Sequence, residues 1–351
     1  MNNKMKAAVF TDVEKVEILK IDKPVMKPNE VLVEIKAAAI CTWEQRAYQG
    51  INKVGYPFIG GHEQSGVIVD VGSDVDTNIW KVGDKVVVGL LMSCGECYYC
   101  KIGEEGSCEN FEYEKLVGGL SIKGMGGYAQ YLSVTTDKLF KIPDKVSYEE
   151  AALTEPLSCA LHSVKLAQVG MGQNILVIGA GIMGVFHAIL ARHKGARVIV
   201  SEPDGKRREF LYNLGFKELI NPMEVDIVKA VKEATDGRGA DIIFNTTAIP
   251  AIAQQTLNMV ALYGKIVLYS SSYPDTPLSV SPTFIHKSMV NLMGSVDANS
   301  SDFITSLKLM AADVVDVKQV ISEVGSFYNM KDAIEKAISP ETYRIVVKWD
   351  K

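Results

Sequence analysis

Short apolar runs separated by turn residues dominate the first 145 residues of the chain. The runs are rich in β-branched side chains and read KAAVF, VEILKI, EVLVEIKAAAI, SGVIVDVG and DKVVVGL, with turns such as KPNE and KVGD between them. Because β-branched residues favour the pleated surface of a sheet and proline, glycine and asparagine interrupt it, the pattern predicts an all-β region.

The pattern changes near residue 148. The stretch YEEAALTEPLSCALHSVKLAQVG predicts a helix with acidic residues in its first turn. The next stretch, NILVIGAGIMGVFHAILARHKGARVIVSEP, has the pattern of a strand, a glycine turn, an amphipathic helix and a second strand, and the alternation continues as far as GKIVLYS. It predicts a doubly wound α/β domain with a parallel sheet. Beyond residue 290, DFITSLKLMAA and MKDAIEKAI predict helices and RIVVKW a last strand.

Composition and charge exclude several classes of protein. The chain has 351 residues, enough for two domains, with 47% hydrophobic and 23% charged residues and a net charge of −5. No basic run favours a nucleic acid or an anionic membrane as partner. No apolar run reaches the ~18 residues of a membrane helix, and MNNKMKAAVF lacks the core of a signal peptide. We expect a soluble, cytoplasmic protein.

Four of the six cysteines fall within fifteen residues, in the spacing Cys94-x₂-Cys97-x₂-Cys100-x₇-Cys108. Thiols stay reduced in the cytoplasm, so disulfides are a poor use of this cluster. Thiolates bind Zn²⁺ tetrahedrally, and two-residue gaps let neighbouring sulfurs turn toward one centre. The spacing predicts a closed, structural zinc site; the alternative is a set of free or oxidised thiols.

Gly179, Gly181 and Gly184 form a G-x-G-x-x-G turn that follows an apolar strand and opens a helix. This context predicts a dinucleotide site, in which the backbone approaches a pyrophosphate at the helix start. Glu202 ends the next strand, where an acidic residue binds the adenosine ribose and repels a 2′-phosphate, so we expect NAD rather than NADP. Lys206, Arg207 and Arg208 follow and argue mildly for NADP.

A second candidate metal site combines Cys41 with the adjacent pair His62 and Glu63. A thiolate, an imidazole and a carboxylate are the usual ligands of a catalytic zinc that keeps one position open. The alternatives are an ordinary histidine at 62 and a core thiol at 41, and the spacing alone leaves this choice open.

Several motifs together resemble one family. Gly61-His62-Glu63-x₂-Gly66-x₅-Gly72-x₂-Val75 is similar to the signature of medium-chain zinc-dependent alcohol dehydrogenases, and the four-cysteine segment, GGYAQY, TEPLSCALHS and GAGIMG follow in that family's order. TEPL resembles the sorbitol and threonine dehydrogenase branch. The resemblance implies a GroES-like catalytic domain at 1–147 and 289–351, with a four-cysteine lobe at about 92–110. It also implies a Rossmann-type NAD-binding domain at 148–288.

The resemblance also implies roles for individual residues. The catalytic zinc would be held by Cys41 and His62, with Glu63 and Glu155 as alternative carboxylate ligands, and Thr42 and Trp43 would lie beside it. The structural zinc would be held by the four lobe cysteines. The positions that would contact the coenzyme are Gly179, Gly181, Ile182, Met183, Gly184, Glu202, Arg207, Thr246, Thr247, Gly294, Ser295 and Arg344, the last of these near the pyrophosphate.

The run CTWEQRAY departs from the family pattern. Trp43 stands where relatives carry a small hydroxyl residue, and Glu44 and Arg46 replace an aspartate and a histidine. The ordinary proton relay is therefore in doubt, and Thr42 and a water chain are both open replacements. Trp43 is either a flat wall for the substrate or core packing. We expect Glu44 to orient His62 and to pair with Arg344.

The resemblance implies NAD-dependent oxidation of a secondary alcohol, such as a polyol, diol or cyclitol, with two zinc ions per chain. The sequence Val296-Asp297 stands where sorbitol dehydrogenases carry an arginine, which leaves an amino alcohol or aminocyclitol open as substrate. Two further alternatives are a zinc-free quinone or enone reductase and a non-enzymatic module that binds NAD or zinc. The branch implies a homotetramer, with a dimer possible.

Overall fold

The structure is a computed structural model that describes residues 4–272 and 274–349. Its strands, in chain order, are β1 Lys4–Asp12, β2 Lys15–Asp22, β3 Glu30–Ala39, β4 Glu63–Val71, β5 Lys85–Val88, β6 Tyr131–Thr135, β7 Leu139–Lys141, β8 Asn174–Ile178, β9 Arg197–Ser201, β10 Glu218–Ile220, β11 Ala240–Asn245, β12 Val260–Leu268, β13 Asn291–Gly294, β14 Ile321–Ser326 and β15 Arg344–Lys348. Its helices are α1 Thr42–Tyr48, α2 Tyr98–Lys101, α3 Tyr148–Ala151, α4 Thr154–Leu166, α5 Ile182–His193, α6 Gly205–Asn213, α7 Ile227–Ala234, α8 Pro250–Met259, α9 Pro282–Ser288, α10 Ser300–Ala311 and α11 Met330–Ile338.

The chain divides into two compact units. The first comprises Met1–Ser158 and Ala298–Lys351, and the second comprises Cys159–Asp297. Both crossings fall later in the chain than the boundaries expected from the sequence, and the first lies within α4. The second unit is thus an insertion between two parts of the first, and the functional domain boundaries stay a prediction.

The first unit is built on β-sheets. Its larger sheet has the order β14-β15-β3-β4-β5-β7, with β6 also pairing with β3, and β1 and β2 form a separate antiparallel pair. The core between these strands is closed by fully buried aromatic side chains, which include Phe10, Phe58, Tyr128 and Phe327. This arrangement confirms the strands predicted for the amino-terminal region and the predicted last strand, but the region is not all-β, because α1 and α2 lie within it.

The second unit is a six-stranded sheet in the order β10-β9-β8-β11-β12-β13, in which all neighbouring strands are parallel. The central strand β8 is buried at every position, because helices cover both faces of a doubly wound sheet. The strand and helix alternation read from the sequence is therefore confirmed, as is the fold class.

Candidate metal sites and coenzyme turn

Cys41, His62 and Glu63 come together at the ends of two paired strands. β3 ends at Ala39, which pairs with Glu63, the first residue of β4. Cys41 follows β3 and caps the start of α1, and His62 directly precedes β4. One ligand atom from each of the three side chains lies within 4.8 Å of the others. The antiparallel register thus joins two segments that are distant in the sequence.

The carboxylate of Glu63 tests whether a metal ion fits here. Glu63 is fully buried, and Nη2 of Arg344 lies 2.9 Å from its Oε1. The distance defines an ion pair, yet the geometry is not that of a hydrogen bond, and neither carboxylate oxygen accepts one from the described residues. A buried carboxylate with unused lone pairs is costly unless a cation completes it. The donor set of thiol, imidazole and carboxylate therefore fits a zinc ion.

The imidazole of His62 is oriented by Glu44. Oε1 of Glu44 lies 2.8 Å from Nδ1 of His62 and accepts a hydrogen bond of 2.9 Å from the backbone N–H of Gly61. Glu44 stands on the first turn of α1, three residues after Cys41, and its side chain is fully buried. A histidine whose Nδ1–H is held by a carboxylate presents Nε2 to a metal, so this contact supports the predicted orienting role.

Burial and neighbouring charges shift the pKa values of the three donor side chains. Burial raises the pKa of the Cys41 thiol, and the nearby Glu63 carboxylate adds to the shift. Burial also raises the pKa of Glu63 to about 7, against the lowering effect of Arg344. For His62, burial disfavours the charged form, but Glu44 and Cys41 outweigh it and raise the pKa well above its usual value. A bound cation would favour the deprotonated forms of the thiol and carboxyl groups.

Glu155 lies on the first turn of α4 and is 5% exposed. Its charge contributes to the pKa shifts of Glu63 and Arg344, so it lies near both groups. It is not among the three residues whose ligand atoms lie within 4.8 Å of one another. Its role as an alternative metal ligand stays a prediction.

Thr42 and Trp43 begin α1, directly after Cys41. Thr42 is exposed, whereas Trp43 is half-buried. The indole stacks on Tyr113 with ring centroids 4.8 Å apart and packs against the core residue Phe58 at 5.7 Å. Trp43 therefore packs in part against the core of the β-rich unit, and its contact with a substrate stays a prediction.

The four lobe cysteines also converge, with all four sulfurs within 4.8 Å of one another and none in a disulfide. Sγ of Cys97 lies 3.9 Å from Sγ of Cys108. Four sulfurs at the usual zinc distance of about 2.3 Å would be separated by about 3.8 Å at the corners of a tetrahedron. Gly95 and Gly103 adopt the left-handed conformation, with φ of 74° and 85°, that the tight turns of this lobe require.

Backbone N–H groups point at the lobe sulfurs. Sγ of Cys94 accepts hydrogen bonds from the backbone of Glu96 and Cys97, and Sγ of Cys108 accepts from Cys94 and Asn110. The side chain of Asn110 and these backbone groups lower the pKa of Cys94 to about 5. Burial and the neighbouring sulfurs raise the pKa of Cys100 to about 12. The donors favour thiolates, and a dication would let all four sulfurs carry charge together.

The glycine turn between β8 and α5 has the geometry that a dinucleotide site needs. Gly179 has φ of 95°, and Gly181 caps the start of α5. A Cβ atom at Gly184 would overlap the carbonyl group of Gly179, so only glycine fits. Ile182 is buried behind the turn and Met183 is half-buried. The first backbone N–H groups of α5 thus lie open to an anion.

The predicted coenzyme residues of this unit follow one row of paired positions across its sheet. In register, Ser201 pairs with Ile178, Ile178 with Asn245, Asn245 with Leu268 and Leu268 with Gly294. The residues that follow this row are therefore brought to the carboxyl edge of the sheet, and they include Gly179, Glu202, Thr246, Thr247 and Ser295, with Gly294 in the row itself. This edge is where open parallel sheets bind ligands. Direct contact with a coenzyme stays a prediction.

Glu202 is fixed at this edge by the backbone on both sides of it. Oε2 accepts a hydrogen bond of 2.7 Å from the N–H of Ala180, and Oε1 accepts one of 2.8 Å from the N–H of Asp204. A Cβ atom at Gly181 would lie 3.8 Å from Nη1 of Arg207, so the guanidinium lies beside the glycine turn. The carboxylate of Glu202 and the guanidinium of Arg207 thus both lie beside the glycine turn.

The expected pairing of Glu44 with Arg344 is wrong. Arg344 is 3% exposed, and its direct partners are Glu63 and the carbonyl oxygen of Ile40, to which Nη1 donates at 3.1 Å. Residue 344 is brought to Cys41 and Glu63 by the pairing of β15 with β3, two strands that are distant in the sequence. No local sequence pattern predicts this pairing. Its role near a pyrophosphate stays a prediction.

Tyr128, from the GGYAQY motif, is a further residue that sequence reasoning did not place at this site. It is fully buried, its hydroxyl donates to the carbonyl of Ala39 at 3.4 Å, and its ring lies against Gly60 and Gly61. Burial, together with the charges of Glu44 and Glu63, raises its pKa well above the usual value. The neutral ring thus packs beneath the metal donors.

Among the residues that the structure describes, no helix is both long and apolar enough to span a membrane.

Comparisons with known proteins agree with this geometry. Residues 27–144 match the model of the alcohol dehydrogenase GroES-like domain, and residues 183–312 match that of the zinc-binding dehydrogenases. Sorbitol dehydrogenase of Bacillus subtilis is 32% identical over 95% of this chain and 94% of its own. L-threonine 3-dehydrogenase of Pyrococcus furiosus is 34% identical over 76% of both chains. The crystal structure of 2R,3R-butanediol dehydrogenase from Bacillus subtilis has a TM-score of 0.86 and 26% identity, covering 99% of this chain and 100% of that one.

The fold and the two donor sets define a zinc-containing, pyridine nucleotide-dependent oxidoreductase. The chain belongs to the medium-chain zinc-dependent alcohol dehydrogenase family, which confirms the resemblance seen in its motifs. It is an enzyme that acts on small-molecule alcohols, and the non-enzymatic alternative is set aside.

Proposed function

We propose that this chain is a dehydrogenase that oxidises a secondary alcohol group of a polyol, diol or cyclitol with NAD. The single observation that carries the proposal is the convergence of Cys41 and His62 with the buried Glu63, both oxygens of which accept no hydrogen bond from the described residues. The similarity of the chain to a sorbitol dehydrogenase and to a butanediol dehydrogenase supports a substrate with neighbouring hydroxyl groups.

The zinc would be held by Cys41 and His62, with Glu63 as an exchangeable third ligand. Bound there, zinc supplies a Lewis acid that polarises the substrate oxygen, and a bound nicotinamide accepts the hydride. Glu44 holds the imidazole of His62 through Nδ1, and Arg344 holds the carboxylate of Glu63 through Oε1. When Glu63 is not bound to the metal, its Oε2, which accepts no hydrogen bond from the described residues, would take the hydroxyl proton or pass it to water.

We propose NAD as the preferred coenzyme because an acidic residue at this strand end, here Glu202, would repel a 2′-phosphate. Two backbone hydrogen bonds hold this carboxylate at the strand end, so it cannot swing away without leaving two N–H groups unpaired. Arg207 beside the turn provides a positive charge for the pyrophosphate. The preference is measured as the ratio of kcat/KM for NAD to that for NADP.

We propose that each donor set holds one zinc ion, one catalytic and one structural, and that the enzyme is a cytoplasmic homotetramer, with a dimer possible. The unpaired lobe cysteines suit a reducing compartment. Apolar side chains on β12 and just after the edge strand β13 are exposed, among them Leu262 at 68%, Tyr263 at 69% and Val296 at 68%. Such a surface favours self-association, which light scattering on the purified protein would measure.

A second candidate substrate class is an amino alcohol. The relative from Pyrococcus furiosus named L-threonine 3-dehydrogenase is 34% identical, and Asp297 adds a carboxylate after the predicted coenzyme residues. The test of both candidates is NAD reduction across sorbitol, xylitol, 2,3-butanediol, inositol, threonine and simple amino alcohols. A clear preference for polyols or diols supports the proposal, and a preference for amines supports the second class. No NAD reduction with any alcohol would refute both.

A further inference from the structure

The loop between Cys100 and Cys108 carries two adjacent glutamates that reach the start of α10. Oε2 of Glu104 accepts a hydrogen bond of 2.8 Å from the side chain of Asn299. Oε1 of Glu105 accepts one of 2.9 Å from the hydroxyl of Ser300, and its Oε2 accepts the backbone N–H of Ser300 at 3.4 Å. These contacts join residues 195 positions apart in the sequence, and all four lie in the β-rich unit.

The contacts suit the end of a helix. Ser300 is the first residue of the twelve-residue helix α10, so its backbone N–H has no partner within the helix. A carboxylate at this end satisfies that donor and interacts favourably with the positive end of the helix dipole. The first turn of α10 also has an apolar contact, because Phe303 stacks on Phe140 with ring centroids 4.9 Å apart.

The positions of both glutamates depend on the sulfur cluster. The backbone N–H of Glu104 donates to the carbonyl of Tyr99, between two lobe cysteines, and the N–H of Cys108 donates to the carbonyl of Glu105. Cys100 and Cys108 close the loop at either end, so a metal bound to the sulfurs would fix its shape. A lobe without metal would lose that constraint, since thiols alone hold a loop weakly.

Asn299 and Ser300, the partners of the two glutamates, lie a few residues after the predicted coenzyme residues Gly294 and Ser295. Only residues 296–298 separate Ser295 from Asn299, and Asp297 in this short segment adopts a left-handed conformation with φ of 54°. Asn299 is 9% exposed and its backbone N–H donates to Asp302, so the helix start is itself well fixed. Residues 294–295 are therefore tied to a fixed point only a few residues away.

We infer that Glu104 and Glu105 are positioning residues for coenzyme binding, which link the metal-bound four-cysteine lobe to the segment that carries Gly294 and Ser295. The inference rests on the proposed function, because it assumes that residues 294–295 contact the coenzyme. When the two carboxylates hold the start of α10, this segment is ordered before the coenzyme arrives. When they are lost, Gly294 stays paired with Leu268, but the connection at residues 295–299 is less restrained and must be ordered during binding, and that entropy weakens affinity.

The test uses the zinc-loaded enzyme and measures the dissociation constant of NADH by fluorescence titration. Two lost hydrogen bonds to carboxylates predict that Glu105→Ala weakens NADH about three- to tenfold, and that the double change of Glu104 and Glu105 to Ala weakens it further. The kcat at saturating NAD should stay within about twofold of wild type, because the metal donors are untouched. Glu96→Ala is the matched control: Glu96 lies on the same lobe, and its side chain forms an exposed ion pair with Lys101.

The partner side provides an independent variant that leaves the lobe intact. Ser300→Ala removes the hydroxyl that donates a hydrogen bond to Glu105, so it should also weaken the binding of NADH. Its effect should not add to that of Glu105→Ala. Glu105→Gln keeps one acceptor oxygen and should recover part of the affinity. Zinc content should match wild type in every variant.

Three outcomes would overturn the inference. In the first, the variants have lower thermal stability but an unchanged NADH dissociation constant, which indicates a purely structural contact. In the second, the effects of Ser300→Ala and Glu105→Ala add fully. In the third, wild-type enzyme itself fails to bind NADH, which would overturn the proposed function as well and so distinguishes the two failures.

Discussion

Oε1 of Glu44 bridges Nδ1 of His62, at 2.8 Å, and the backbone N–H of Gly61, at 2.9 Å. One carboxylate oxygen thereby fixes both the imidazole proposed to bind the metal and the backbone that precedes it. The side chain of Glu44 reaches this ring from the first turn of α1. The contact links the helix start at Cys41 to the strand that begins at Glu63.

Glu44→Gln should weaken zinc binding at this donor set. The amide keeps the size of the side chain but loses the charge that supports the imidazole, and loss of such a partner typically costs about 10- to 100-fold in metal affinity or activity. Zinc retention against a competing chelator, together with kcat/KM, measures the effect. Glu34→Gln is the control, because Glu34 lies on β3 in a partly exposed ion pair with Lys36. Equal zinc retention in Glu44→Gln and wild type would contradict the orienting role.

Gly184→Ala should abolish tight coenzyme binding. A methyl group there overlaps the carbonyl of Gly179, so the strand and helix must separate, at a cost of about 1–3 kcal/mol or more. Gly205→Ala is the control: it starts α6 in the same unit, and its nearest neighbour is a flexible arginine side chain at 3.8 Å. We expect the control to bind NADH normally. Calorimetric titration with NADH distinguishes the two, and normal binding by Gly184→Ala would refute the assigned role of the turn.

Glu202→Ala should reduce the preference for NAD over NADP. The change removes the carboxylate that repels a 2′-phosphate and leaves Arg207 beside the turn, so the ratio of the two kcat/KM values should fall about tenfold or more. The variant also leaves the N–H groups of Ala180 and Asp204 without their acceptor, so affinity for both coenzymes should decrease. Glu209→Ala, an exposed change on α6, is the control. An unchanged ratio would mean that Glu202 does not face the ribose.

His187 predicts a pH dependence of stability in the parallel-sheet unit. It is fully buried on α5 between Phe244 and Tyr269, its Nδ1 bonds the carbonyl of Met183 at 2.7 Å, and burial lowers its pKa from 6.5 to about 4. Above pH 6.5 the ring is neutral in both states. As the pH falls from 6.5 to 4, only the unfolded chain takes the proton, so up to about 3 kcal/mol of stability is lost.

His187→Gln should remove this part of the pH dependence. Thermal unfolding of the variant and of wild type at pH 7.5 and pH 5 gives the comparison, in which the variant should lose less stability on acidification. His193→Gln, at the exposed end of the same helix, is the control and should behave like wild type. If wild type and His187→Gln lost the same amount of stability on acidification, His187 would be taking up its proton in the folded state as well.

The sequence predicts those features of the fold and site that depend on local pattern. The glycine turn is readable because Gly179, Gly181 and Gly184 each meet a local steric need between a strand and a helix. The four-cysteine metal site can be predicted because its four cysteines lie within one short segment of the sequence. The identity of the partner of Arg344, by contrast, depends on the register of β15 beside β3, which no short segment encodes.

The contacts of Glu104 and Glu105 with α10 are hidden for the same reason, since they join segments 195 residues apart. In the sequence they are ordinary charged residues of an exposed loop. The role of Trp43 is likewise decided by tertiary packing, which places Tyr113 and Phe58 against its ring. Long-range pairing thus decides what the local patterns leave open.

Zinc content measured beside NAD reduction tests the central claim most directly. We expect wild-type enzyme to hold one zinc per donor set, and Cys41→Ser to lose the zinc of its own set while it keeps that of the lobe. NAD reduction should then fall by about a thousandfold or more, since the substrate oxygen is no longer polarised. A Cys41→Ser enzyme with the zinc content and turnover of wild type would contradict the account.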